Sequence, residues 1–262
     1  MFYSGGTELL LAMKMRVIHT ERIIDIKGLP DLDIITSTEA NEIEIGARCT
    51  HKNIAENSLI RQQVPALSSL CGDVANVRVR SVGTIGGNLC FGEPHADPPT
   101  MLAALNARFM LHGPKGIRSV SADDFIRSEL ETVREPDELL TKIVFPCPTG
   151  PVTYRRFKHG ERPSVNVAMV WSVDAGGAIN AARVRVGALS SRPQPLKAVE
   201  EALRGCFVAD VSLAIERVLP AALDELDVNE DRHGRADYKR HLAGVLLMRN
   251  VEEAMSRTEN HR

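Results

Sequence analysis

The sequence predicts an α+β chain made of two successive units. Three observations carry this. The chain has 262 residues, more than a typical single domain holds. Residues Pro146 to Pro151 contain three prolines and one glycine, the composition of a linker. Before that stretch short strand-like and helix-like runs alternate, whereas after it strand-like runs come first and helices follow, the pattern of a small α+β domain.

Each element can be read in order. Phe2-Tyr3 reads as a strand stub and Gly5-Gly6 as a tight turn. Thr7 to Met15 is predicted as a short helix with Thr7 at its N-cap, a position that favours hydroxyl side chains. Arg22 to Ile26 is a short strand. Leu32 to Thr36 and Glu42 to Gly46 form a hairpin, the second strand alternating polar and apolar residues. Thr50 caps a helix running through Asn57, and Pro65 to Asp73 starts another. Thr100 to Asn106 is helical. Arg108 to His112 and Ile117 to Val120 flank a turn at Gly113-Pro114-Lys115-Gly116. Ser121 to Ile126 starts a short acidic helix, and Glu138 to Phe145 is a strand stopped by Pro146.

Beyond the linker, Val152 to Lys158 is a strand. Asn166 to Asp174 and Ile179 to Gly187 form a hairpin around Gly176-Gly177. Leu196 to Leu203, Val211 to Leu219 and Tyr238 to Ser256 are helices; in the last, Leu242, Val245, Leu246 and Val251 fall on one side.

Composition excludes several functions. Hydrophobic residues make up 44% and charged residues 25% with a net charge of -2, which is ordinary for a globular protein and no footprint for nucleic acid. One Trp, three Tyr and seven Phe offer few platforms for stacking bases. The five cysteines form no C-x-x-C pair, against a cluster, a structural zinc or a disulfide framework held by this chain. Free thiols fit a reducing cytoplasm. The eight histidines show no H-x-H or H-x-x-x-H spacing, so no metal site is expected. No apolar run is long enough to span a bilayer, and the N-terminus lacks the pattern of a signal peptide.

Two glycine-rich loops carry the chemistry: Ser4-Gly5-Gly6-Thr7-Glu8 and Thr84-Ile85-Gly86-Gly87-Asn88. Paired glycines permit positive φ and close backbone approach, so successive N–H groups can face one anion. Two such loops, with Thr7, Thr84 and Asn88 as side-chain donors, suit a pyrophosphate. Rossmann, P-loop, nucleophile-elbow and zincin signatures are all missing.

The run Arg80-Ser81-Val82-Gly83-Thr84-Ile85-Gly86-Gly87-Asn88-Leu89, followed by His95-Ala96-Asp97-Pro98-Pro99, resembles the FAD-binding domain of molybdopterin dehydrogenases. That family includes the medium subunit of carbon monoxide dehydrogenase and the flavin region of xanthine dehydrogenase. Ser4 to Leu10 looks like the family's first loop, and the segments at Ile54-Ala55, Ala66-Leu67 and Tyr238 to Leu242 also fit. The resemblance covers nearly the whole chain. It implies a two-part FAD-binding domain of the vanillyl-alcohol-oxidase (PCMH-like) type over residues 1–148. Over residues 152–258 it implies a domain like the C-terminal domain of the carbon monoxide dehydrogenase flavoprotein, with a small antiparallel sheet and helices.

The resemblance also implies site residues. Ser4, Gly5, Gly6, Thr7, Glu8 and Leu9 of one loop and Thr84, Ile85, Gly86, Gly87 and Asn88 of the other would bind the FAD phosphates and neighbouring groups. Asp97 would accept hydrogen bonds from a polyol or ribose hydroxyl, Leu140 would give an apolar contact to the flavin, and Lys158, with Arg162 near it, would place a cation by the ring. No general acid or base is implied. The chain would be the electron-transfer subunit of a molybdenum hydroxylase. A small subunit would carry [2Fe–2S] clusters and a large one molybdopterin, in a heterotrimer or its dimer, with NAD or another carrier as acceptor. Family members carry a strand and helix before the first loop, where this chain begins almost at the loop, and Cys90 and Phe91 depart from the family's small or polar residues. Two other readings stand beside this one: a self-contained flavin oxidoreductase, and a structural subunit that has lost FAD through a shortened N-terminus.

Overall fold

The computed structural model describes residues 1–259; His261, one of the eight histidines, lies outside them. In chain order the elements are β1 (Phe2–Tyr3), α1 (Leu9–Lys14), β2 (Ile24–Asp25), β3 (Ile35–Ser37), β4 (Glu42–Gly46), α2 (His51–Glu56), α3 (Ser58–Gln63), α4 (Pro65–Gly72), α5 (Val77–Val82), α6 (Ile85–Phe91), α7 (Pro98–Ala104), β5 (Arg108–Gly113), β6 (Gly116–Ser121), α8 (Ala122–Phe125), β7 (Ile126–Ser128), β8 (Glu131–Thr132) and β9 (Leu139–Pro146). They continue with β10 (Val152–Lys158), β11 (Pro163–Val173), β12 (Ile179–Gly187), β13 (Gln194–Pro195), α9 (Lys197–Leu203), a short 3₁₀ turn at Val208–Asp210, α10 (Val211–Asp224) and α11 (Ala236–Glu259). This mixture is the α+β class that the sequence predicts.

The chain divides into two compact units. The first holds Met1–Glu93 and Asn106–Cys147, and the second Pro94–Leu105 and Pro148–Arg262. In the first, five strands form one antiparallel sheet in the order β3-β4-β9-β5-β6. In β4 the core residues follow the alternation legible in the sequence, with Ile43 and Ile45 buried; Phe109 and Leu111 of β5 and Ile143, Val144 and Phe145 of β9 are buried too. A separate parallel pair, β1 with β2, carries the first glycine loop.

Helices α2 to α6 run from Thr50 to Phe91. Thr50 closes a capping box with Asn53 at the start of α2. The sequence reading omitted α3 and α5. Each is six residues and is capped by an asparagine whose Oδ1 accepts backbone N–H groups, Asn57 for α3 and Asn76 for α5. Thr7 does not cap α1: the helix starts at Leu9, after Glu8, with no side-chain cap. The second glycine loop is itself helical from Ile85, because Thr84 supplies the cap and offsets the low helix propensity of Gly86 and Gly87.

In the second unit β10, β11, β12 and β13 form an antiparallel sheet. One face, with Val165, Val167, Met169 and Trp171 of β11, packs on α9, α10 and α11 through a core that includes Leu203, Ile215, Leu247 and Val251. The opposite face takes α7, every residue of which is buried. A helix apolar all round belongs inside. Segment Pro94–Leu105 therefore packs with the second unit, although it lies within the sequence range read as the first.

Candidate functional site

The two glycine loops meet in the first unit. At the first, Gly6 has φ +71° and turns the chain back from β1 towards α1; a Cβ there would lie 2.3 Å from Cε2 of Tyr3. At the second, α5 ends at Gly83. Thr84 is extended and pairs antiparallel with Thr50. The N–H of His51 donates to the Gly83 carbonyl at 3.0 Å and that of Ile85 to the Cys49 carbonyl at 2.9 Å. The five-stranded sheet sets the position of α6. The N–H of Ala47 donates to Thr141 of β9 at 2.9 Å, and the Ala47 carbonyl accepts from Gly86 at 2.8 Å.

Glycine is required where the loops touch. A Cβ on Gly5 would sit 2.0 Å from the Val82 carbonyl oxygen and 2.9 Å from Cα of Gly83. The point where Gly83 would carry a Cβ is 3.4 Å from Thr7 Oγ1 and 3.5 Å from Cδ2 of His51. A Cβ on Gly86 would lie 2.6 Å from the Ala47 oxygen.

Donor accounting then separates the loops. In the second, Gly86 N–H goes to Ala47, Gly87 N–H to Thr84 Oγ1 at 3.2 Å and Asn88 N–H to the Thr84 carbonyl at 3.0 Å. The N–H groups of Ile85, Gly86, Gly87 and Asn88 are thus all taken up within the protein. In the two loops, the backbone N–H groups of Ser4, Gly5, Gly6 and Thr7 in the first and of Thr84 in the second make no hydrogen bond among the described residues. Two side-chain oxygens, Ser4 Oγ and Asn88 Oδ1, are buried with no partner, one from each loop. Buried polar atoms without a protein partner are few in folded proteins, and an ordered water or a ligand group completes their bonding.

Sequence reasoning missed His51. Its ring is 2% exposed, Nδ1 has no partner, and burial, with the Arg80 charge second, pushes its pKa down to about 4. No local pattern marks it, since it reaches the loops only through the long-range pairing of Thr50 with Thr84.

The remaining expected residues lie elsewhere. Glu8 and Leu9 are half-buried at the start of α1, and Ile85 is buried in α6. Leu140 is buried in β9, opposite Leu111. Asp97 and Lys158 belong to the second unit. Asp97 occupies the N-cap position of α7 without capping it. Its carboxylate instead accepts from Tyr154, Arg156 and, at 3.5 Å, Asn166 Nδ2. Burial raises the Asp97 pKa although Arg156, Tyr154 and Asn166 pull it down, and burial likewise pushes Tyr154 well above its ordinary value. Lys158 is exposed at the end of β10, and Arg162 is half-buried in the turn that follows. Cys90, just after the second loop, is raised to about 11 by burial, so its thiol is not a reactive thiolate at neutral pH.

Comparison with known proteins gives two family matches. Residues 1–148 match the FAD binding domain in molybdopterin dehydrogenase, and residues 152–254 match the CO dehydrogenase flavoprotein C-terminal domain. The chain is similar to the carbon monoxide dehydrogenase medium chain of Afipia carboxidovorans, 31% identical over 98% of this chain and 89% of that one. It is similar to the xanthine dehydrogenase FAD-binding subunit of Escherichia coli O157:H7, 25% identical over 97% of this chain and 88% of that one. Among solved structures, carbon monoxide dehydrogenase from Hydrogenophaga pseudoflava superposes with a TM-score of 0.91 at 30% identity, over 98% of this chain and 90% of that one.

Proposed function

The chain belongs to the family of FAD-binding medium subunits of molybdenum hydroxylases, and from that premise we propose that its two glycine loops grip the FAD pyrophosphate from both sides. The carrying observation is the set of groups left without partners in the two loops: the N–H groups of Ser4, Gly5, Gly6, Thr7 and Thr84, with Ser4 Oγ and Asn88 Oδ1. These residues fit the cofactor. Backbone donors in a turn suit phosphate oxygens. Asn88 Oδ1, an acceptor, suits a hydroxyl or ring N–H. Glycine at positions 5, 83 and 86 lets the backbones close to contact.

The finer assignments follow the same reading. Glu8, Leu9 and Ile85 shape the walls of the loops, and Gly86 and Gly87 let α6 start beside the phosphates. Leu140 supplies an apolar contact for the flavin. Asp97, held by Tyr154 and Arg156, presents a fixed carboxylate to a polyol or ribose hydroxyl. Lys158 supplies a positive charge for the ring.

FAD held by these loops would supply one- and two-electron chemistry, linking [2Fe–2S] clusters on a small partner subunit to NAD or another acceptor. The protein's part is to bind, orient and set the electrostatics. A large subunit carries the molybdenum cofactor and the substrate chemistry, in a heterotrimer or its dimer. The compartment is cytoplasmic, which the five free cysteines support; among the described residues no helix is long and apolar enough to cross a membrane.

The test is an absorption spectrum of the full chain mixed with FAD and then passed through gel filtration. Retained flavin bands at a one-to-one ratio are expected. A colourless chain, both alone and with its partner subunits, would reject the site.

A further inference from the structure

His51 shares the loop junction with Thr7, and the assignment of the glycine loops gives it nothing to do. Its Cδ2 lies 3.5 Å from the point where Gly83 would carry a Cβ, and Thr7 Oγ1 lies 3.4 Å from the same point. Its backbone N–H donates to the Gly83 carbonyl at 3.0 Å, which holds its Cα at the junction. The side chain is 2% exposed and Nδ1 is buried with no partner. A phenylalanine in this space would leave no buried nitrogen unpaired.

The unpaired nitrogen fixes the tautomer. Buried N–H groups without acceptors are rarer than under-satisfied acceptors. The single proton therefore belongs on Nε2, the nitrogen next to Cδ2 on the ring edge that faces Gly83. We infer that His51 is a positioning residue for the dinucleotide, its Nε2–H donating to a phosphate oxygen at the junction of the two loops. Because burial and Arg80 hold its pKa at about 4, the ring gives this bond without a charge across the neutral range. The inference rests on FAD being bound at the loops.

The test compares FAD dissociation constants of the wild-type chain, His51→Phe and His51→Gln, read by flavin fluorescence. Gln places an amide N–H near the position of Nε2. His51→Phe is expected to weaken FAD about tenfold, His51→Gln to recover most of that, and the loss to be equal at pH ~6 and ~8. Unchanged affinity in His51→Phe overturns the inference, as does equal loss in both variants, which marks a packing role only. Should His51→Phe not fold, ¹⁵N spectra of the wild-type imidazole decide. A protonated Nε2 that shifts and exchanges more slowly with FAD supports the assignment, and an Nε2 signal unmoved by bound FAD overturns it. Failure of the wild-type chain to bind FAD removes the reading of the loops as well, whereas wild-type binding with indifferent variants removes only the role of His51.

Discussion

Gly5→Ala tests the loop junction most sharply. The added methyl would sit 2.0 Å from the Val82 carbonyl oxygen, 2.8 Å from its carbon and 2.9 Å from Cα of Gly83. Carbon and oxygen atoms in ordinary contact stand about 3.5 Å apart, so the loops must part by more than about 1 Å. Gly5 is half-buried in a loop, and the first loop can yield by moving outward. Global stability then changes little, by about 1 kcal/mol or less. Ligand geometry changes much more. Parting the loops withdraws the N–H groups of Gly5, Gly6 and Thr7 from a phosphate that the Thr84 side still holds. Hydrogen bonds to charged groups contribute about 1.5–3 kcal/mol each, so losing one or two weakens FAD by about two orders of magnitude. The assay is a fluorescence titration with FAD beside a thermal melt. Affinity within about threefold of wild type would refute the claim that both loops bind together.

Other perturbations probe the supporting structure. Asp97→Asn removes the carboxylate charge that faces the Arg156 guanidinium, whose side chain is only 10% exposed; a loss of about 3 kcal/mol and a melting temperature lower by about 10 °C are expected, and an unchanged melt contradicts a stabilising role for this pair. In the wild type, His51 stays neutral in the folded state down to about pH 4 while the unfolded chain takes up a proton near 6.5. Stability therefore falls as pH drops between those values, by up to about 3 kcal/mol. Denaturant curves of His51→Phe should lack this component. Glu138 accepts two bonds from the Arg118 guanidinium and one from the N–H of Glu135, and these hold its pKa down to about 2. Its contribution is present above about pH 4.5 and is lost as pH falls towards 2. Glu138→Gln should be less stable than wild type at neutral pH and lose less on acidification; identical acid titrations would contradict this.

Much of the fold is local and therefore readable. The alternation in β4, the proline that ends β9, the Gly176-Gly177 hairpin and the apolar stripe of α11 are all set by neighbours in sequence. The missed helices α3 and α5 are six residues each and rest on Asn caps, too short for a periodic signal. The helical second loop was hidden because its glycines speak against a helix, and only the Thr84 cap and the Ala47 carbonyl hold it. The glycine loops were legible as motifs, but their contact was not: the clash at Gly5 involves Val82, far along the chain. Asp97 was singled out by its motif, while its partners Tyr154 and Arg156 lie beyond the linker on β10. Pairings of that range leave no trace in spacing.

Backbone hydrogen–deuterium exchange of the full chain, with and without saturating FAD, tests the central claim most directly. The free amides of Ser4, Gly5, Gly6, Thr7 and Thr84 should exchange fast alone, and peptides over residues 1–9 and 79–91 should be strongly protected by FAD. Bound FAD that protects other segments and leaves both loops exchanging as before would contradict it.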